Sequence, residues 1–232
     1  MPRTRGRAPA GGRAEALSQE IVVGAAVALL DEFGERGFTF RLLAERLKTG
    51  SGALYWHVAN KDELVALAAD RVLGDALTAA PGPAAGAGAE LRALAIAVFD
   101  ALDRHQWAAS HVTAPPTLAN ALRLLDRIGT LVTRTGLPAD RRFAVATAIF
   151  YYVTGVSAQI IVPGPAGGAV PSRDAFLDQT AEHWERLDPA EHPFLTRVTG
   201  DLRDHDDRDQ FIIGLDLLLT GLDVARDPRP PA

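Results

Sequence analysis

The densest gathering of acids and bases in this chain is DLRDHDDRDQ, residues 201–210, where His205 sits among five aspartates. Imidazole beside carboxylate is the raw material of acid–base catalysis or metal binding. No supporting pattern accompanies it. The sequence has no nucleophile elbow, no phosphate-binding glycine loop and no histidine spacing suited to a metal. It also has no cysteine among its 232 residues, hence no disulfide, thiolate site or cysteine nucleophile. The run reads as a solvated acidic surface, and the chain as no enzyme.

Recognition is a better use of its residues. The stretch SGALYWHVANKDEL, residues 51–64, sets three very small residues beside Tyr55, Trp56 and His57. On a helical wheel Leu54 and Val58 share one face, while Gly52 and Trp56 point the opposite way. Such a helix docks through Leu54 and Val58 and presents a mixed small-and-aromatic surface. Asn60 and Glu63 then have the spacing of a capping box, with Ala59 and Leu64 at the staple positions, so a new helix begins near Lys61.

Two short helices, about Phe40 to Leu47 and from Ser51, joined by a three-residue break, describe a helix-turn-helix. The second helix must enter a major groove about 12 Å wide. Small residues let its backbone approach base edges, and aromatic and polar ones reach the phosphates. The amides at the start of the next helix offer a further phosphate contact. From wheel and spacing alone, a structural hairpin with Tyr55 and Trp56 packed inside remains the other reading.

The elements that must position these residues are all helical. The segments between proline joints are rich in Ala and Leu, with few alternating β-branched runs. A helix from about Ser18 to Phe33 repeats Ile21, Ala25, Leu29 and Phe33 on one face, and Gly34 stops it. The helix from Lys61 runs to the late seventies. Further helices are expected at about 89–106, 108–113, 117–136, 138–162, 173–186 and 207–225. Residues 80–88 and 163–172 are joints, and 187–206 is acidic and irregular. The organisation is a basic, disordered arm (1–15), a helix-turn-helix domain (16–60), a connecting helix (61–79), a larger domain (89–225) and a tail (226–232).

The net charge is −5, unevenly spread: residues 1 to 65 hold nine Lys/Arg and eight Asp/Glu, a net of +1, leaving −6 for the rest. That asymmetry points weakly to nucleic acid at the N-terminal end. The arginines of the arm (Arg3, Arg5, Arg7, Arg13) suit either a solvated tail or a minor-groove contact. The start lacks the apolar core of a secretory signal, so a cytoplasmic protein is expected. FAVATAIFYYVTGVSAQIIV is free of charge, but its polar residues and the proline that ends it favour a helix buried in protein over a membrane span.

FTFRLLAERLKTGSGALYWHVANKDELVALAADRV closely resembles the DNA-binding segment of the tetracycline-repressor (TetR) family, above all in LYWHVANKDEL. QFIIGLDLLLTGLD resembles the last dimer helix of the tetracycline-repressor subgroup. The resemblance implies that Arg41, Ser51, Gly52 and Ala53 face bases, and that Thr39, Tyr55, Trp56, His57 and Lys61 hold phosphates. The sequence departs from the family at Lys48, where glycine is common and suits a left-handed turn. A lysine in that conformation costs roughly 1 kcal/mol, which phosphate attraction could offset.

The resemblance further implies a ligand-responsive repressor, a homodimer on palindromic double-stranded DNA. A small molecule bound in the second domain would alter the spacing of the recognition helices. Candidate effector contacts are Phe99, Trp107, His111, Phe150, Tyr151, Tyr152 and Gln159. In the tetracycline repressor a histidine at the place of His111 coordinates the drug's magnesium. Here Ala114, Pro115 and Gln159 replace the rest of that polar shell. A hydrophobic or aromatic effector bound without metal or other cofactor is therefore expected. His111 either touches it or is an ordinary hydrogen-bonded histidine. Dimerisation would use the helix at 138–162 and Phe211, Ile212, Leu215, Leu218, Leu219 and Leu222, unless these pack within the chain. The alternative function is a DNA-binding regulator whose second domain answers to a protein partner or to no ligand.

Overall fold

The computed structural model describes residues 17–82, 86–112, 118–159 and 172–226. Among these the regular elements are all helices: α1 (Gln19–Gly37), α2 (Phe40–Arg46), α3 (Ser51–Leu54), α4 (Lys61–Ala79), α5 (Ala87–Arg104), α6 (Gln106–Ala109), α7 (Ala119–Arg134), α8 (Ala139–Gln159), α9 (Arg173–Glu185), α10 (Thr199–Arg203) and α11 (Asp207–Arg226). The all-α expectation holds. The arm, most of the 163–172 joint and nearly all of the tail lie outside the described residues.

Polar side chains cap α1, α2 and α4, whereas α3 starts at Gly50 without one. The Ser18 hydroxyl accepts from the Ile21 amide, Thr39 from Leu42, and Asn60 from Glu63. Gly34 breaks α1 with φ of 63°, a conformation glycine adopts without penalty. The buried face of α1 is Val22, Val23, Ala26, Leu29 and Leu30, and Phe33 is 44% exposed. The expected Ile21–Ala25–Leu29–Phe33 stripe was misdrawn because a strict four-residue step drifts by about 40° per step around a 3.6-residue helix. The capping box also differs in detail: the Glu63 carboxylate accepts from the Ala59 amide at 2.6 Å, one residue earlier than the Asn60 amide. Ala59 is exposed and Val58 buried, so Ala59 forms no staple.

One helix belongs to two cores. Leu64, Val65 and Ala68 of α4 join the core of α1–α3, while Ala69, Val72, Leu73 and Ala76 join that of α5–α8 and α11. Burial at both ends makes α4 the stem that orients the first unit on the second.

Helix α4 is also fastened to α7. Asp70 on α4 is 8% exposed and accepts from the Asn120 and Ala121 amides, each at 3.0 Å. Arg127 of α7 donates to the Leu77 carbonyl at 2.9 Å. Both pairs are fifty residues apart, so the two helices run parallel and in register.

The 187–206 segment is more ordered than expected. It contains α10, and Arg203 donates to Glu185 of α9 at 2.6 Å. Arg173 of α9 pairs with Asp207, which also meets His205 at 2.9 Å. The acidic run thus holds α9 and α10 to the start of α11 through ion pairs that alternating signs made available. No helix among the described residues is long and apolar enough to cross a membrane.

Candidate nucleic-acid interface

Helix α2 ends in two backbone hydrogen bonds: Thr49 N–H to the Ala44 carbonyl at 2.9 Å and Lys48 N–H to the Glu45 carbonyl at 3.2 Å. This pairing requires a left-handed residue between them. Lys48 supplies it, with φ of 51°. The turn therefore keeps the geometry for which glycine is the usual choice.

Helix α3 is a single turn, shorter than the wheel suggested. Turn bonds from His57 and Val58 to the Leu54 carbonyl carry the winding on to Val58. Leu54 and Val58 are buried, as the docking face requires. The opposite surface is bare: Ser51 and Gly52 are exposed, Trp56 is 88% exposed and Tyr55 59%. Tyr55 leans on Phe40 with ring centroids 5.1 Å apart, and a Cβ added at Gly52 would meet nothing within 4 Å. Trp56 and Tyr55 are therefore not packed inside, which removes the structural-hairpin reading. Ala53 and His57 are half-buried at the flanks, and the His57 carbonyl accepts from Gln19.

The other expected DNA contacts start from different places. Thr39 caps α2 with its hydroxyl. Arg41 is exposed and pairs with Glu45 one turn on, at 3.0 Å. Lys61 is turned inward: its ammonium donates to the Glu35 and Phe38 carbonyls at 2.6 and 2.8 Å and stands over the Phe38 ring. It satisfies carbonyls that the break at Gly34 leaves without helix partners, which keeps one of its three N–H groups for anything else.

Among the described residues the expected effector residues fall in three places. Phe99 and Phe150 are fully buried core. Phe99 stacks on Phe211 at 4.2 Å, and Tyr152 stacks on the same ring at 5.5 Å. The Tyr152 hydroxyl donates to the Phe211 carbonyl at 2.9 Å, so its polar end is already satisfied within the chain. Burial pushes its pKa above the usual tyrosine value. Tyr151 is exposed and, with Tyr152, Gln159, Gln210, Ile213 and Gly214, lines an open groove of about 650 Å³ between α8 and α11.

Trp107 and His111 turn towards α1. Trp107 Nε1 donates to Asp31 at 2.7 Å, His105 Nδ1 meets the same oxygen at 2.8 Å, and His111 Nε2 meets Glu35 at 2.8 Å. The α6 region thus grips the DNA-side unit through two carboxylates one turn apart. Residues 113–117, where the tetracycline-repressor pattern changes, lie outside the described residues. Among the described residues no group of three His, Asp or Glu could hold a metal ion.

Helix α11 forms where the expected dimer helix was placed, and part of the expected interface faces the chain's own core. Phe211, Leu215 and Leu222 are buried in the chain's own core, and Ile212, Leu218 and Leu219 are half-buried. Ile213 and Leu217, outside the expected set, are 64% and 71% exposed. Helix α11 is apolar on both sides, and a list of apolar positions cannot say which side meets its own core. The spacing Ile213–Leu217–Gly221 was the available signal. On α8, Phe143 and Tyr151 are exposed on the stretch that carries no charge after Arg142.

Known proteins resemble the chain throughout. The pattern described as bacterial regulatory proteins, tetR family, matches residues 22–68, and that described as tetracyclin repressor-like, C-terminal domain, matches residues 81–226. An HTH-type transcriptional regulator of Saccharopolyspora erythraea is 35% identical over 152 residues, 62% of each chain. The HTH-type transcriptional repressor DrrR1 of Streptomyces coeruleorubidus is 29% identical over 94% of this chain and 82% of its own. The transcriptional regulator SCO7222 from Streptomyces coelicolor superposes with a TM-score of 0.72 at 40% identity, over 91% of this chain and all of that one. ActR from the same organism, solved in complex with actinorhodin, superposes with 0.71 at 26% identity, over 91% and 99%.

Proposed function

The chain belongs to the tetracycline-repressor family of transcriptional regulators, and on that premise we propose that it is a ligand-responsive repressor, acting in the cytoplasm as a homodimer on a palindromic operator. The observation that carries this reading is the bare face of Ser51, Gly52, Tyr55 and Trp56 standing on a buried Leu54 and Val58. Apolar docking fixes the turn, and everything opposite is free for a groove. Arg41, Ser51, Gly52 and Ala53 would face bases. Thr39, Tyr55, Trp56, His57 and the remaining Lys61 N–H would hold phosphates.

The effector is a small hydrophobic or aromatic molecule bound without metal, a reading supported by the complex of ActR with actinorhodin. Two half-sites demand recognition helices about 34–36 Å apart. A ligand that moves α6 pulls on Asp31 and Glu35, and so on the unit that carries α3. The second copy would cover Phe143, Tyr151, Ile213 and Leu217 by pairing α8 and α11 into a four-helix bundle.

A specific observation favours a second reading. Phe99, Phe150 and Phe211 fill the middle of the second domain. A filled core suits a DNA-binding regulator whose second domain answers to a protein partner or to no ligand.

The test is selection of DNA from a random pool, followed by fluorescence anisotropy at several salt concentrations. Enrichment of a palindrome, with affinity far above nonspecific DNA, supports the repressor reading. The same complex then reports release by planar aromatic compounds. Purely electrostatic binding without enrichment would sink it.

A further inference from the structure

Lys48 occupies a position that works against its own residue type. Its φ of 51° is imposed by the two hydrogen bonds that close α2. Glycine takes this conformation freely, whereas a Cβ crowds the following carbonyl. Nothing among the described residues compensates. Lys48 is exposed, and its ammonium has no hydrogen bond or ion pair to any described residue.

Its cationic neighbours are differently placed. Of the other Lys and Arg side chains between residues 17 and 65, Arg41 pairs with Glu45, Arg46 with Glu32, and Lys61 with two carbonyls. Arg36 is engaged as well. Lys48 alone among these described cations is left uncommitted. It stands three residues before Ser51, at the mouth of the bare recognition surface.

Strain at an exposed turn, retained by a charge with no partner among the described residues, points outward. We propose that Lys48 is a DNA-phosphate contact, held in a left-handed turn for its charge and adding sequence-independent affinity beside the recognition helix. The inference rests on the DNA-binding reading above. A phosphate contact carries no base information, so its loss weakens binding equally on all sequences. It also makes the log–log salt dependence shallower, by about one per half-site.

The experiment compares Lys48→Gly, Lys48→Gln and Lys48→Arg with the unaltered full-length protein. Each is measured by thermal melting and by anisotropy on the selected operator across a salt series. Lys48→Gly relieves the strain, so its melting temperature should rise by about 2–4 °C. Its operator affinity should fall about fivefold per half-site, the upper range for an exposed charge pair. Lys48→Gln keeps the strain and loses the charge, so it should lose the same affinity without the gain in melting temperature. Lys48→Arg should retain both affinity and salt slope.

Opposite movement of stability and affinity in Lys48→Gly is a result no structural role would give. Unchanged affinity and slope in both uncharged variants overturn the proposal. So does a Lys48→Gln that melts earlier but binds normally, because the lysine would then serve the end of α2 through its dipole. If the unaltered protein itself binds without sequence preference, the DNA-binding reading fails first and takes this contact with it.

Discussion

The carboxylate of Asp70 caps a helix to which it does not belong. It sits on α4 and accepts from the backbone amides of Asn120 and Ala121, where α7 starts without a side-chain cap of its own. Asn120 returns the contact by donating to the Asp70 carbonyl at 2.9 Å. Gly74 lies so close that an added Cβ would overlap the Asn120 amide group. The stem that carries the DNA-side unit is thus bolted to the effector-side domain at one buried place.

Removing that carboxylate leaves two amides short of a partner in a nearly closed site. Asp70→Ala should cost about 1–3 kcal/mol of stability, and Asp70→Asn, which keeps one acceptor, less. Urea unfolding at fixed pH measures both. A loss for Asp70→Ala within about 0.5 kcal/mol, the range of ordinary surface changes, would show that the cap is not used.

Asp31 serves two donors from the α6 region, His105 and Trp107, where Glu35 serves only His111. Asp31→Ala should therefore loosen α1 from α6 more than Glu35→Ala does. A double-mutant cycle between Asp31→Ala and Trp107→Phe isolates the indole hydrogen bond, and a coupling of about 0.5–1.5 kcal/mol is expected. Additive effects would mean the contact does not hold the two units together.

Sequence alone reached the first of these units more completely than the second. Leu54 and Val58 were legible as a docking face because a helix-turn-helix has one core side and one bare side, and local spacing decides which is which. Asn60 with Glu63 was legible because capping is a contact between near neighbours. Asp70 was not, because its partners lie fifty residues away and an aspartate in mid-helix gives no sign of them. Tyr152 and Phe211 failed for the same reason. A hydroxyl on a charge-free stretch of helix needs a partner, but spacing cannot reveal that the partner is the Phe211 carbonyl, 59 residues on. His111 was expected either to touch an effector or to be an ordinary hydrogen-bonded histidine, and its partner Glu35, on another unit, was invisible from its neighbourhood.

The bare face of α3 should separate affinity from stability. Trp56 is 88% exposed, so Trp56→Ala should leave the melting temperature unchanged while weakening operator binding. A loss shared equally by all sequences marks a phosphate contact. Arg41→Ala should instead relax the preference at one base position, with about 1–3 kcal/mol of discrimination lost. Competition binding against single-base operator variants distinguishes the two. An unfolded Trp56→Ala protein would contradict the exposure seen for the indole.

Helix α11 makes the sharpest contrast, because two residues six apart should fail in different ways. Phe211 is fully buried and stacked on both Phe99 and Tyr152, whereas Leu217 is 71% exposed. Phe211→Ala removes a large core side chain and should cost about 3–5 kcal/mol whatever the protein concentration. Leu217→Asp places a charge on a face already in water in the single chain, so the chain should fold. The same charge cannot be desolvated cheaply against a second copy, so the dimer should come apart. Sedimentation over a range of concentrations, with circular dichroism beside it, reads both properties. A Leu217→Asp protein that stays dimeric would move the interface away from α11.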